Sequence, residues 1–375
     1  MSGLRQSGVA LITALIFTAL VTTFAVAMAA RQELDIRRSA NIVGNDRSYL
    51  FALGIEEWAR KVLSDDAADN QVDHLGEDWN AALPAIHVDG ATVTGKITDL
   101  QGLINVNGLV DANGAPIESE IKRLQRLLRY LELNEDLVFA IVDWIDPDTE
   151  TSFPGGAEDS EYLNKDPAYR AANAPLVSIS ELRLVQGMDR DVYARLQPFV
   201  TALPPASNSG GAPAPGQGGD SGAGNDANNE APADNGDADQ AGNSDADAAD
   251  NGDNGNPPPG GNAGSGTAIN VNTAPAEVLL ALAEGLTLAD AESLIERREE
   301  EEGFQSISDF LNEPVMAATN TGGGDLGLQG INIASEYFLI QGNAVFPDAR
   351  MSLYTVVRRD AGGKLQVISR GQGSY

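Results

Sequence analysis

Residues 8–30 read GVALITALIFTALVTTFAVAMAA, and the rest of the chain takes its meaning from what this stretch becomes. Arg5 precedes it and Arg31 follows, so the twenty-two residues from Val9 to Ala30 carry no charge. A helix rises about 1.5 Å per residue, so this run spans roughly 33 Å, enough to cross the hydrocarbon core of a bilayer. On length alone three outcomes are open. A cleaved secretory signal would have a shorter apolar core of about 7–15 residues, although Ala27, Met28 and Ala29 offer the small residues such a cut uses. A plain membrane anchor fits the length and asks nothing of its flanks. The third outcome uses both flanks.

On the left a short basic leader ends in Gly8, directly before the apolar run. On the right the helical pattern continues, with no proline from Arg31 through Leu63. Tyr49, Ala52, Ile55, Ala59 and Val62 recur at helical spacing beside Asp46, Arg47, Glu56 and Arg60. One long helix is expected, apolar in its first half and amphipathic in its second. The pattern resembles a type IV prepilin-like N-terminus, in which a prepilin peptidase cuts after the glycine. That resemblance implies processing between Gly8 and Val9, methylation of the new terminus and retention of the apolar segment. The fifth residue after the cut is Thr13, where pilin-like proteins carry glutamate. In a filament that carboxylate would neutralise the neighbouring subunit's amine inside a low-dielectric core, where an unpaired charge is costly. A subunit with nothing above it needs no such group, so Thr13 points to a capping position.

The chain has 375 residues, a net charge of −31 and no cysteine, which excludes disulfides and zinc–thiolate sites. Its two histidines, His74 and His87, lie far from any catalytic-looking partner, and its acidity opposes a phosphate-backbone ligand. Residues 204–266 hold Gly, Ala, Asn, Asp, Ser and Pro with ten acidic residues, no Lys or Arg and no aromatics. Such a stretch cannot bury enough apolar surface to offset its ordering entropy, and a solvated linker is expected; no fixed period supports a calcium-binding β-helix.

On either side of that linker a repeated four-residue phrase suggests two related all-helical units. Asp89-Gly90 between alternating runs predicts a hairpin within 85–99. Helices are expected on the stripe Ile117, Ile121, Leu124, Leu128 and Leu131, then behind Asn134, behind a Ser178–Glu181 capping box, and from about Arg190 to Val200. Ile-Asn-Val-Asn occurs at 104–107 and again at 269–272. After the second copy Thr273, Thr287 with Asp290, and Ser306 with Asp309 read as helix starts. Strands return at 336–341, 350–357 and 365–369, with a turn at 360–363. The helix, Gly285 turn and helix resemble a helix-hairpin-helix unit, but the second glycine is missing and Glu299 to Glu302 lie close by, so the fold is expected without DNA binding.

Together these features, with residues 33–41, Val142 to Asp148 and Gly156 to Asp159, resemble the protein K family of large minor pseudopilins of type II secretion. The resemblance implies an α+β pseudopilin fold, a long N-terminal helix on an antiparallel sheet, with a large inserted all-α domain of two SAM-like, helix-hairpin-helix-like units. The implied division is leader 1–8, transmembrane half 9–30, and amphipathic half with first strands 31–106. An inserted domain follows at 107–325 (unit one 107–203, linker 204–266, unit two 267–325), then C-terminal strands 326–375. It also implies a non-enzymatic subunit of the bacterial inner membrane, its head in the periplasm, at the tip of a pseudopilus that exports folded proteins across the outer membrane. Partners so implied are minor pseudopilins I and J, the major pseudopilin below, the prepilin peptidase and secreted cargo, with no nucleic acid. The rival from another class is a minor pilin of a type IV pilus or competence pseudopilus with a DNA-binding head.

One site carries chemistry. Asp143, Asp146, Asp148, Glu158, Asp159 and Glu161 place six carboxylates within nineteen residues around a Pro-Gly-Gly turn. Hard oxygen ligands suit Ca²⁺, which takes 6–8 oxygens, but the spacing is not that of an EF-hand. On spacing alone, helix capping with a solvated acidic loop accounts for it equally well. The resemblance is to a family whose heads bind calcium, which implies a structural ion on Asp146, Asp148, Glu158 and Asp159, with Asp143 structural. A paired-carboxylate glycosidase would need aromatic sugar platforms, and Trp58, Trp79 and Trp144 are not clustered.

Overall fold

The structure is a computed structural model that describes residues 7–205, 267–321, 330–347 and 349–373. The expected linker, apart from its first two residues, lies outside them. The long helix α1 (Ser7–Asp69) is continuous for 63 residues. It is long and apolar enough in its first half to cross a membrane, and the side chains there are exposed. Burial begins at Gly44, well beyond the first charge at Arg31. Gly44, Ser48, Ala52, Ile55, Glu56, Ala59 and Leu63 form the covered face, so Leu63 takes the place expected of Val62.

That face lies on an antiparallel sheet. Strands β1 (Leu83–Val88) and β2 (Ala91–Asp99) form the expected hairpin. Asp89 and Gly90 have φ of 50° and 81°, the left-handed pair that a tight two-residue turn requires. From β2 the chain passes through β3 (Ile104–Asn105), α2 (Glu118–Tyr130), α3 (Leu137–Ile145), α4 (Asp159–Tyr162), α5 (Arg190–Leu196) and β4 (Val200–Thr201). After the linker come β5 (Ile269–Asn270), α6 (Ala276–Leu282), α7 (Leu288–Glu300), α8 (Ile307–Asn312), α9 (Pro314–Thr321) and β6 (Ile331–Asn332). Strands β7 (Tyr337–Val345), β8 (Arg350–Arg359) and β9 (Leu365–Gln372) then complete the sheet in the order β1-β2-β7-β8-β9. β2 and β7 pair from Thr92↔Val345 to Asp99↔Phe338. Everything between them leaves and re-enters the sheet at one point.

Gly95 of β2 is the register partner of Gly342 of β7. A Cβ on Gly95 would stand 2.7 Å from Ile55 Cγ2, and one on Gly342 would stand 2.9 Å from the Ala52 carbonyl oxygen. Helix and sheet backbone touch here because neither strand carries a side chain. Glu56, read from sequence as a solvent-facing charge, is buried under the sheet instead. It accepts hydrogen bonds from Arg370 (2.6 and 2.8 Å) and from the Thr355 hydroxyl (2.8 Å). Burial alone would raise its pKa, but these bonds outweigh it and hold the carboxyl below its ordinary value.

The segment between β2 and β7 is not purely helical. β3 pairs in parallel with β4, and β5 with β6, in two short pairs built on the two Ile-Asn-Val-Asn copies. The copies are geometrically equivalent. Asn105 Oδ1 accepts from Asn107 N at 3.2 Å, as Asn270 Oδ1 does from Asn272 N at 2.9 Å. Asn107 then binds the backbone of Leu176 through both N–H and C=O, and Asn272 does the same to Phe304. One apolar core runs through both units, from Ile104 and Leu124 to Leu279 and Phe310. Arg126 of α2 ties them by donating to the carbonyls of Ala281 and Leu282.

Several helix starts differ from expectation. Asn134 caps the turn before α3 by accepting from Asp136 N, so the helix begins at Leu137. Thr273 does not cap α6. Its hydroxyl donates to Asp99 Oδ2 at 2.5 Å. That carboxylate, at the end of β2, also accepts from Ser335 Oγ (2.6 Å), Asn270 Nδ2 (3.2 Å) and Gln101 N (2.7 Å). Close by, the buried Arg359 of β8 donates to Asp66 and Asp73 and to the Ser335 carbonyl, with its guanidinium 4.8 Å from the Phe338 ring centre. The end of α1, the sheet and the second unit therefore meet in a buried polar knot.

Two outcomes follow from these contacts. Gly342→Val should destabilise the chain by about 1–3 kcal/mol through overpacking, whereas Gly54→Ala, where a Cβ meets nothing within 4 Å, should stabilise α1 by roughly 0.5–1 kcal/mol; denaturant melts check both. Burial pushes the Asp99 pKa up to about 6 despite its four donors. A raised carboxyl pKa gives stability that is present in acid and lost as pH rises through 6, about 3 kcal/mol at most for this group. Thermal melts from pH 4 to 7.5 should therefore show a shallower pH slope in Asp99→Asn than in the parent.

Candidate metal centre

The carboxylate cluster is assembled by a helix end and the loop that returns to it. Asp143, Trp144 and Ile145 close α3, an almost wholly apolar helix buried on nearly every side. Asp143 is fully buried, and its carboxylate accepts from Ser152 N at 3.1 and 3.2 Å. The loop lies so close that a Cβ on Gly156 would come within 2.3 Å of Asp143 Oδ2. Asp143 is thus the loop's fastening, in keeping with the structural part expected of it.

Asp146, Asp148 and Glu158 each bring an oxygen within 4.8 Å of the others. Asp146 Oδ1 and both oxygens of Glu158 are buried without a hydrogen-bond partner. Burial and the neighbouring carboxylates push Asp146 up to about 6 and Glu158 up to about 7. Asp148 is exposed and accepts from Glu150 N at 2.7 Å. Buried carboxylate oxygens left without donors cost free energy that a hard cation would return, so the donor set fits Ca²⁺. Asp159, expected as a fourth ligand, turns away. It accepts from Arg170 Nη1 at 2.5 Å and from Ala171 N at 3.1 Å, so its charge is already paired.

Asp66, Asp73 and Glu77 form a second acidic group of similar spacing. Here Asp66 and Asp73 already hold the Arg359 guanidinium, which supplies the positive charge. Sequence spacing pointed to the first cluster and missed this one, because Arg359 lies almost three hundred residues further on. Trp144, Tyr162 and Tyr169 pack edge-to-face and stacked, with centroids 5.0–6.2 Å apart, on the residues flanking the first cluster.

The residues expected at a processing site lie apart from this centre. Gly8 and Val9 are within the first turns of α1. The Thr13 hydroxyl is satisfied by its own helix, 3.0 Å from the carbonyls of Val9 and Ala10.

Comparison with known proteins places this architecture. The sequence profile described as "Type II secretion system (T2SS), protein K" matches residues 102–205, and a second profile of the same description matches 269–329. Type II secretion system protein K of Pseudomonas aeruginosa is 31% identical over 98% of this chain and 93% of its own length. The chain belongs to the type II secretion system protein K family. Another protein K, from Aeromonas hydrophila, is 34% identical over 53% of this chain and 64% of its own. The crystal structure of the GspK-GspI-GspJ complex from enterotoxigenic Escherichia coli contains a chain of the same fold, with TM-score 0.63 and 20% identity over 88% of this chain and 97% of that chain. The two profile matches stop on either side of the linker, as the two Ile-Asn-Val-Asn units do.

Ca²⁺ should raise the melting temperature of the full chain, and a chelator should lower it. The double variant Asp146→Asn, Glu158→Gln should abolish that difference, while Asp159→Asn should preserve it. Terbium luminescence sensitised through Trp144 and the adjoining tyrosines should follow the same pattern. Equal melts with calcium and chelator would remove the ion.

Proposed function

We propose that this chain is the minor pseudopilin that caps the pseudopilus of a type II secretion system and helps to initiate or limit its assembly. In this reading α1 is a single-pass anchor in the inner membrane and the head stands in the periplasm. Minor pseudopilins I and J join it in a tip complex, as the related GspK chain is joined by GspI and GspJ, with the major pseudopilin below and secreted cargo above. The head divides into the strands and helix of a pseudopilin domain and two SAM-like units at 107–203 and 267–325. Calcium is held by Asp146, Asp148 and Glu158 and fastens the 147–157 loop to α3; it has no catalytic part.

The observation that carries the capping role is Thr13. Its hydroxyl is bonded to its own helix, and it offers no carboxylate to an amine from a subunit above. The bulk of the segment between β2 and β7 supports the same position, since a shaft subunit must repeat at every level. Prepilin peptidase is expected to cut after Gly8.

Mass spectrometry of the mature chain should find Val9 at the N-terminus, and Gly8→Ala should retain the leader and stop secretion. A product beginning after Ala29 would overturn the processing. Gold labelling of the head on overexpressed pseudopili should mark ends alone; regular marks along the shaft would overturn the cap.

A further inference from the structure

Three arginines are buried among the described residues, and two of them have acidic partners. Arg123 pairs with Glu120, and Arg359 with Asp66 and Asp73. Arg298 of α7, only 6% exposed, has no carboxylate within ion-pairing distance among the described residues. Its Nη1 donates to the carbonyls of Val271 (2.9 Å) and Ala274 (2.7 Å), while Nε and Nη2 make no hydrogen bond among those residues. Burial pulls its pKa down to about 10 against the opposing influence of Glu299, so it is still a cation at neutral pH.

Arg298 lines a cavity of about 800 Å³, a size typical of ligand sites. One wall is the end of α1 and the loop behind it, with Val62, Leu75 and Trp79; the other is the end of α7 and the turn that follows. The walls meet at Gly303, where a Cβ would stand 3.0 Å from His74 Cβ. Glu77 is occupied within the first wall, accepting from Asn70 Nδ2 (2.8 Å), His74 N (2.9 Å) and the Trp79 indole (2.7 Å). Four other carboxylates of the lining, on Asp69, Asp78, Glu299 and Glu302, are exposed and make no ion pair or hydrogen bond among the described residues.

These charges select a ligand. A plain anion is repelled by the four exposed carboxylates. A plain cation suits them but leaves the buried Arg298 without a counter-charge. A carboxylate flanked by positive groups satisfies both, because a guanidinium holds a carboxylate through paired, charge-assisted N–H donors. Four carboxylates spread over two walls call for more than one positive group, which a peptide supplies. We infer that this cavity binds a peptide carboxylate with lysine or arginine beside it, the carboxylate on Arg298 and the basic side chains on Asp69, Asp78, Glu299 and Glu302. That carboxylate is either a chain terminus or an acidic side chain within a basic segment. The site uses none of the carboxylates of the metal centre, and it does not require the capping role proposed above.

Isothermal titration of the full chain in detergent, at constant calcium, tests the site with three peptides. Lys-Lys-Lys offers basic side chains and a terminal carboxylate. Its amide lacks the carboxylate and carries one more net positive charge, so a merely acidic surface would prefer the amide. Acetyl-Lys-Asp-Lys-amide presents an internal carboxylate. Lys-Lys-Lys should bind about tenfold more tightly than its amide, and added salt should weaken both. Binding of the acetylated peptide as well would show that an internal carboxylate serves; binding of Lys-Lys-Lys without it would assign the site to a chain terminus. Arg298→Met should erase the preference for the free acid. Because that variant also loses two carbonyl contacts and can unfold, a second one is needed: Asp69→Asn with Glu302→Gln, both exposed, should weaken Lys-Lys-Lys by about tenfold at an unchanged melting temperature. An amide bound as tightly as the free acid, no binding of any of the three peptides, or undiminished binding by the Asp69, Glu302 variant would overturn the site.

Discussion

A buried carboxylate with four donors ties together parts of this protein that lie up to 236 residues apart in sequence. Asp99 ends β2, and its partners come from the second helical unit (Asn270, Thr273), from the return to the sheet (Ser335) and from the adjoining backbone (Gln101). Gln101 extends the connection, giving its side chain to Ala268, Glu336 and Tyr337. A half-satisfied buried network is worse than an apolar one, so every member depends on the others being in place. The position of the head on the sheet is therefore set by hydrogen-bond geometry and not by apolar burial alone.

Two acidic groups show how charge is handled in such a chain. Around Asp66 and Asp73 the protein supplies its own cation, Arg359, and lays it over Phe338. Around Asp146 and Glu158 no arginine pairs among the described residues, and Asp146 Oδ1 and both Glu158 oxygens are buried without donors. Asp159 marks the boundary between the two solutions. It sits next to Glu158 in sequence, yet Arg170 has taken it.

Features decided by near neighbours were legible in the sequence. Asp89-Gly90 made its hairpin, and Ser178 with Glu181 and Thr287 with Asp290 made their capping boxes. Of the expected apolar stripe, Leu124 and Leu128 are buried and Ile121 and Leu131 are half-buried against the core, which also takes in Leu127. Features decided by distant partners were not. Thr273 looks like a helix cap until Asp99, 174 residues away, takes its hydroxyl. Glu56 looks solvent-facing until Arg370, 314 residues on, arrives beneath it. The repeated Ile-Asn-Val-Asn phrase signalled two related units, but not that each second asparagine clasps a backbone amide from a loop tens of residues away.

The first of those asparagines has one more effect. Asn105 holds Leu203 through its amide and bonds the Thr267 hydroxyl at 2.9 Å, so a single side chain gathers both ends of the acidic segment. The chain therefore leaves the first unit at Leu203 and enters the second at Thr267 from one place, fixed by one amide group.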